Sequence, residues 1–271
     1  MFDQIADLYD SARPGYPAAA ITELARRCEL DPDSLVLEIG CGTGQLTRAL
    51  AVLGPRLRCL EPGPAMARRA ASNLAAFPNV EVIEATFEDA DEKEGMFDLL
   101  VSATAFHWID PHVSFPKAAK LLRRGGWLAL LTNSHGAGGS HAGIATEVQA
   151  LHRELAPDVG TWVFPTFEEI EATALRGGDI AAVWHGVERK FQKPPPVGEL
   201  FGPPFVAVHP WLAEYDTASY LAMLASQSTY ALMDGAQRSA LLAGIGALID
   251  SRLQGQVTKQ YVTVLAISRR L

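Results

Sequence analysis

Between Leu35 and Asn133 short apolar runs alternate with amphipathic stretches, and this alternation limits the fold more than any other feature of the chain. The runs LVLEI (35–39), LRCLE (57–61), VEVIEA (80–85), FDLLVSA (97–103) and WLALLTN (127–133) are almost continuously apolar. Strands covered by helices on both faces have that character. PAMARRAASNLAAF and PHVSFPKAAKLL, which lie between runs, have helical spacing. Strand–helix alternation implies right-handed crossovers and a parallel sheet.

The pattern loosens after Asn133. SHGAGGSHAG (134–143) reads as a flexible connector, and helices are expected near 144–155, 167–176, 217–231 and 235–253. DIAAVWHGVERKFQ (179–192) and VTKQYVTVLAISRR (257–270) read as two further strands. KPPPVGELFGPPF between them must run over the surface, because Pro194, Pro195 and Pro196 forbid both helix and central strand. The expected architecture is α/β and a single domain over 1–271. Its sheet core spans about 34–133, 179–192 and 257–270, with a helical and aromatic cap from 1–16 and about 134–235. Phe2, Ile5, Ala6 and Tyr9 follow helical spacing and predict a short lead helix.

Ligands of an open α/β sheet bind beyond the carboxyl ends of its strands. The turn after the first run is GCGTG, with glycines at Gly40, Gly42 and Gly44. A dinucleotide fingerprint places its third glycine three positions after the second, but position 45 is Gln; the GK[ST] ending of a Walker loop is also absent. Glu38 would repel a pyrophosphate and favour a cation. S-adenosylmethionine offers an ammonium, a sulfonium and a ribose diol, and its small carboxylate suits the N-terminus of a helix over 44–50. Glu61, about 20 residues on at the end of the second run, can accept both ribose hydroxyls.

VLEIGCGTGQLT, CLEPGPAMARRA, FDLLVSATAFHWID and LLRRGGWLALLT together resemble the successive motifs of class I S-adenosylmethionine-dependent methyltransferases. YDSARPGYP is similar to the leader of their small-molecule branch, which includes trans-aconitate and natural-product methyltransferases, and VTKQYVTVLAISRR is similar to their last strand. The resemblance implies a Rossmann-like, seven-stranded, mostly parallel sheet with the last strand antiparallel. It implies that Gly40, Cys41, Gly42 and Gly44 meet the methionyl part of the cofactor and Glu61 the ribose. Pro62, Thr86 and Phe87 would lie near the adenine, and Ser102 and Ala103 would border the sulfonium. Many relatives carry Asp where Thr86 stands, so Glu88, Asp89 or backbone groups would read the adenine here. Tyr9 and Arg13 are placed to close over the cofactor, although packing of the lead helix also accounts for Tyr9.

His107 and Trp108 follow the fourth run and are the catalytic candidates, as a general base with an aromatic wall or as a structural corner. Trp162, Phe164, Phe167, Phe201, Phe205, Trp211, Tyr215, Tyr220 and Tyr230 are expected mainly to form the core of the cap, with one or two lining an acceptor pocket. The histidines lack ligand spacing, and Cys28, Cys41 and Cys59 form no CxxC pair, so no metal is assigned and a cytoplasmic location is expected. A net charge of −8 without a basic face argues against nucleic acid, and no apolar run is long enough for a membrane span. The acidic opening MFDQIADLYD is unlike a signal peptide. The expected activity is methyl transfer to a small-molecule acceptor by a monomer or homodimer. A non-catalytic S-adenosylmethionine-binding protein and, less favoured, an NAD-type oxidoreductase are the alternatives.

Overall fold

A computed structural model of the chain describes residues 10, 12–159, 163–188 and 194–271. The expected lead helix, with Tyr9, and Trp162 lie outside these residues. The elements in order are α1 (Ala18–Arg27), β1 (Leu35–Ile39), α2 (Gln45–Ala51), β2 (Arg56–Leu60), α3 (Pro64–Leu74), β3 (Val80–Ile83), β4 (Phe97–Ala103), α4 (Pro111–Leu121) and β5 (Leu122–His135). Then follow α5 (Ala145–Leu155), α6 (Phe167–Ala174), α7 (Ile180–Glu188), β6 (Phe205–Asp216), α8 (Thr217–Ala225), α9 (Ser228–Ala231), α10 (Gly235–Leu253) and β7 (Gln256–Arg269).

The strands form one seven-stranded sheet in the order β3-β2-β1-β4-β5-β7-β6. β1 pairs in parallel with β2 and β4, β2 with β3, and β4 with β5. β7 is antiparallel to β5: Gly125 and Gly126 pair with Arg270, while Gly136 and Gly138 pair with Gln260, so one chain advances as the other retreats. The Rossmann-like fold of seven strands that the resemblance implies is the one observed, although one of its strands lies elsewhere in the chain than expected. Its strand order reverses between β1 and β4, which makes the loops after these two strands the walls of the ligand crevice.

The chain divides into two compact units. A core unit comprises Gly15–Ser134, Glu168–His209 and Thr263–Leu271; a helical unit comprises Met1–Pro14, His135–Phe167 and Pro210–Val262. The core unit buries apolar layers on both faces of the sheet, one around Leu37, Leu100 and Phe115 and the other around Val36, Leu50 and Leu131. The helical unit has its own core, in which Tyr220, Tyr230, Leu241 and Ile245 pack together. Tyr220 and Tyr230 thus belong to the core of the helical unit, whereas Phe201 is buried in the core unit. No helix among the described residues is long and apolar enough to cross a membrane.

Three expectations are corrected. Residues 180–188 form a helix, not a strand. Ile180, Ala181, Val183 and Trp184 are buried while Ala182 is exposed, which is helical spacing, and the Asp179 carboxylate accepts the Ala182 N–H at 2.8 Å and starts the helix. The missing strand is β6, which ends the sheet order; Pro210 within it is tolerated because an edge strand need not donate on its outer side. The connector 134–143 is not a loose hinge. Gly138 donates to the Gln260 side chain at 2.8 Å, and Ser140 and Thr258 exchange backbone-to-hydroxyl bonds at 2.8 Å. A Cβ at Gly139 would stand 2.4 Å from the Thr258 carbonyl oxygen, so this glycine serves close approach to β7. The helix expected over 217–231 is also divided, into α8 and α9.

Candidate functional site

The turn after β1 is built by tight backbone geometry. Gly40, Gly42 and Gly44 adopt φ of 70°, 60° and 94°, a region costly for residues with a Cβ. The N–H groups of Gly40 and Cys41 both donate to the Leu60 carbonyl, at 2.9 and 3.0 Å, which ties the turn to the end of β2. A Cβ on Gly40 would lie 2.4 Å from the Ala105 Cβ, so the turn after β1 presses directly on the turn after β4. Gly44 is the N-cap of α2 and supplies no side-chain acceptor to its first turn.

Two carboxyls frame this turn. Glu61 follows β2; its Oε2 accepts the Gly42 N–H and its Oε1 the Gly63 N–H, both at 3.0 Å. Glu38 lies deeper, 1% exposed, with Oε2 accepting the Thr47 hydroxyl at 2.7 Å and lying 3.9 Å from the Cys59 thiol. Burial pushes Glu38 up to about 8, against the opposing pull of the Thr47 and Cys59 contacts, and Glu61 adds to the rise. No cation pairs with it among the described residues. A carboxyl so placed suits a positively charged ligand group, whose field would restore the carboxylate.

The other expected residues are distributed as follows. Pro62 is exposed beside Glu61, and Thr86 is half-buried, its hydroxyl donating to Asp89 at 2.8 Å while accepting the Asp89 N–H at 3.0 Å. Phe87 is buried in the core unit, with the Lys117 ammonium 5.5 Å from its ring centre. Ser102 is fully buried and its hydroxyl donates to the Ile39 carbonyl at 2.7 Å, next to half-buried Ala103. Cys41 is buried; the adjacent Cys59 thiol, then burial and the Glu38 and Glu61 carboxyls, push its thiol well above the ordinary range, which disfavours thiolate chemistry. His107 is buried on the short turn Phe106–Trp108, its ring 5.3 Å from that of Trp108, which is 57% exposed. Arg13 belongs to the helical unit, where it donates to the Ser226 carbonyl at 3.1 Å.

Two residues went unremarked in the sequence. Thr104, immediately after β4, holds φ of 55°, an outlier for a β-branched side chain. Its hydroxyl lies 3.2 Å from the Tyr16 hydroxyl, and its N–H donates to Leu131 at 2.8 Å. Strained backbone of this kind gathers at ligand sites, yet Thr after an apolar run carries no local mark of it. Tyr16 stands in the YDSARPGYP leader, but its partner is decided only by the fold.

Comparison with known proteins agrees with this geometry. A family described as a methyltransferase domain matches residues 37–130. An uncharacterized methyltransferase of Mycobacterium tuberculosis is 34% identical over 137 residues, covering 49% of this chain and 52% of the relative. The biotin biosynthesis bifunctional protein of Bordetella avium is 32% identical over 181 residues, covering 65% of this chain and 37% of that protein. The chain therefore spans about half the length, or less, of these curated relatives. A candidate type II methyltransferase from Anaeromyxobacter dehalogenans shares the fold with a TM-score of 0.57 at 22% identity, covering 95% of this chain and 97% of that one. The glycine turn and its two framing acids thus lie within residues 37–130, the part of the chain that matches a methyltransferase domain.

Proposed function

We propose that the protein transfers a methyl group from S-adenosylmethionine to a small-molecule acceptor. The observation that carries the cofactor half is Glu38, a buried carboxyl beside the glycine turn with no cation among the described residues. Glu61 supports it, a buried acid held beside the turn by the Gly42 and Gly63 N–H groups, where an acceptor for a ribose diol is expected. Gly40, Cys41, Gly42 and Gly44 would hold the methionyl part, Pro62 and Thr86 would flank the adenine with the Phe87 segment behind them, and the Ser102–Ala103 backbone would border the sulfonium. When bound, the cofactor supplies an activated methyl group on positively charged sulfur.

The residues of the chain then align and shield. Holding the acceptor in line is worth about 7–11 kcal/mol in favourable cases, because orientation and solvent reorganisation are settled in advance. His107 is assigned the proton of an acceptor hydroxyl or ring nitrogen, and Trp108 is assigned an aromatic wall. A small-molecule acceptor fits the acidic balance of the chain, −8, which offers a nucleic-acid backbone no attraction. Calorimetry with S-adenosylmethionine, S-adenosylhomocysteine and NAD tests the cofactor, and a metabolite screen for methyl transfer tests the reaction. Binding of both adenosyl ligands without NAD is expected. Binding of NAD with no response to S-adenosylmethionine would overturn the proposal.

A further inference from the structure

The helical unit holds a charged group that the cofactor site does not use. β7 carries Val257, Lys259 and Tyr261 on its buried face, and Lys259 is 1% exposed. Its ammonium lies 4.1 Å above the centre of the Phe164 ring, 5.8 Å from that of Tyr261 and 3.4 Å from His141 Nε2. His135 stacks on Phe164 at 5.7 Å and tilts against Tyr261 at 5.2 Å. Trp211 stacks on Tyr261 at 5.1 Å. The pinned glycine connector brings His141 to this place, since Ser140 is bonded to Thr258, the neighbour of Lys259.

An ammonium has three protons to donate. One meets His141 at a long 3.4 Å, ring faces attract the charge without taking a hydrogen bond, and no carboxylate pairs with Lys259 among the described residues. Attraction to aromatic faces does not match the hydration an ammonium loses on burial. Burial accordingly lowers Lys259 to about 7, and burial together with the Lys259 charge lowers His141 to about 4, leaving a neutral imidazole. The site therefore presents one cation, one neutral imidazole and flat apolar walls. A dianionic phosphate would ask for more donors; a single carboxylate on a flat body matches them. Phe164 lies in a non-helical stretch, half-buried and preceded by 87% exposed Val163, so its ring is the part of the enclosure that can give way.

We infer that Lys259, His141 and the rings of His135, Tyr261 and Trp211 form a binding site for a small carboxylate monoanion with a flat apolar body, which takes the place of the Phe164 ring. The site lies wholly in the helical unit, and its existence is independent of the methyl-transfer proposal. The carboxylate takes the ammonium protons that meet no oxygen acceptor among the described residues, and the body of the ligand stacks on the rings in place of Phe164. Other groups that titrate around it are His135, Tyr261 and Tyr215, whose hydroxyl lies 3.2 Å from that of Tyr261; Arg13 adds a positive field on both tyrosines.

The test uses the full chain with acetate, benzoate and cinnamate, and benzamide as the neutral isostere of benzoate. Binding is read by calorimetry and by NMR of the lysine side chains. Benzoate and cinnamate should bind better than acetate, benzamide should bind at least tenfold more weakly than benzoate, and the acids should raise the Lys259 titration midpoint. Affinity should fall as pH rises through that midpoint, because the uncharged amine attracts no anion. Lys259→Met, similar in length and apolar, should weaken benzoate at least tenfold and leave S-adenosylmethionine affinity within twofold. Equal affinity for benzoate and benzamide, a Lys259 signal that none of the three acids moves, or unchanged benzoate affinity in Lys259→Met would each overturn the inference. The NMR result on the wild-type chain decides the matter even if the variant does not fold.

Discussion

Glu38→Gln isolates the energetic consequence of burying an acid beside the glycine turn. Glu38 lies 1% exposed and is raised from 4.5 to about 8 by burial. A carboxyl raised in this way binds its proton more tightly folded than unfolded, so it favours folding below pH 4.5, and that advantage drains away as pH climbs to about 8. A shift from 4.5 to about 8 corresponds to a loss of at most about 5 kcal/mol, of which local relaxation and water entry return a part. Glutamine keeps an oxygen for the Thr47 hydroxyl and cannot ionise. The ligand-free wild type should lose stability toward pH 8 more steeply than Glu38→Gln, and the variant should be the more stable of the two at alkaline pH. Denaturant melts at intervals from pH 5 to 9 measure this directly. A bound cation reverses the preference of the site, so S-adenosylmethionine should expel close to one proton near neutral pH, read by calorimetry in buffers of different ionisation enthalpy. Glu38→Gln should bind it more weakly and release none. Parallel stability curves for the two proteins, or equal proton release, would refute the reasoning.

Glu61→Ala removes the acceptor of the Gly42 and Gly63 N–H groups as well as the proposed ribose ligand. Cofactor affinity should drop by about 1.5–3 kcal/mol, the size expected for hydrogen bonds to a charged group, and a folded variant with unchanged affinity would remove Glu61 from the site. Gly139→Ala should lower stability by about 2–4 kcal/mol, since φ of 95° and the Thr258 carbonyl both oppose a Cβ; a melting temperature within about 1 °C of the wild type would contradict the pinned connector. His107→Ala should lower kcat by about 10²–10⁴-fold with cofactor affinity nearly unchanged if His107 takes a proton. A rise in KM that His107→Gln rescues would make it a positioning residue, and a near-normal kcat at neutral pH would end its role as a base.

Much of the sheet and the glycine turn after β1 was legible in the linear sequence because their signals are local. β1 and β4 are nearly continuous apolar runs, and their boundaries at Leu35–Ile39 and Phe97–Ala103 coincide with those runs. The acids at 38 and 61 fall at strand positions whose pairing places them beside the same turn, Glu38 opposite Cys59 and Glu61 one step past Leu60. The region 179–216 was misread for an equally physical reason. Short apolar runs suit helix and strand alike, so DIAAVWHG looked extended until the Asp179 cap and the burial of Val183 and Trp184 decided for α7. Pro210 hid β6 because an edge position, where proline is harmless, can be recognised only once the sheet is assembled.

The sequence by itself thus determined the period of the elements, the turn chemistry after β1 and the kinds of charge available to a ligand. These depend on neighbours a few residues apart, where backbone sterics and side-chain spacing act directly. Tertiary structure alone decided how those charges behave. Glu38 and Lys259 read as ordinary ionisable residues in the chain, and both are displaced toward neutrality because folding removes their water without supplying an opposite charge among the described residues. The glycines at 136–139 look like freedom in the sequence and are close contact in the fold, since Gln260 and Thr258, more than a hundred residues away, occupy the space a side chain would need. Position along the chain says nothing about such distant neighbours; packing brings them together, and burial then sets their energies.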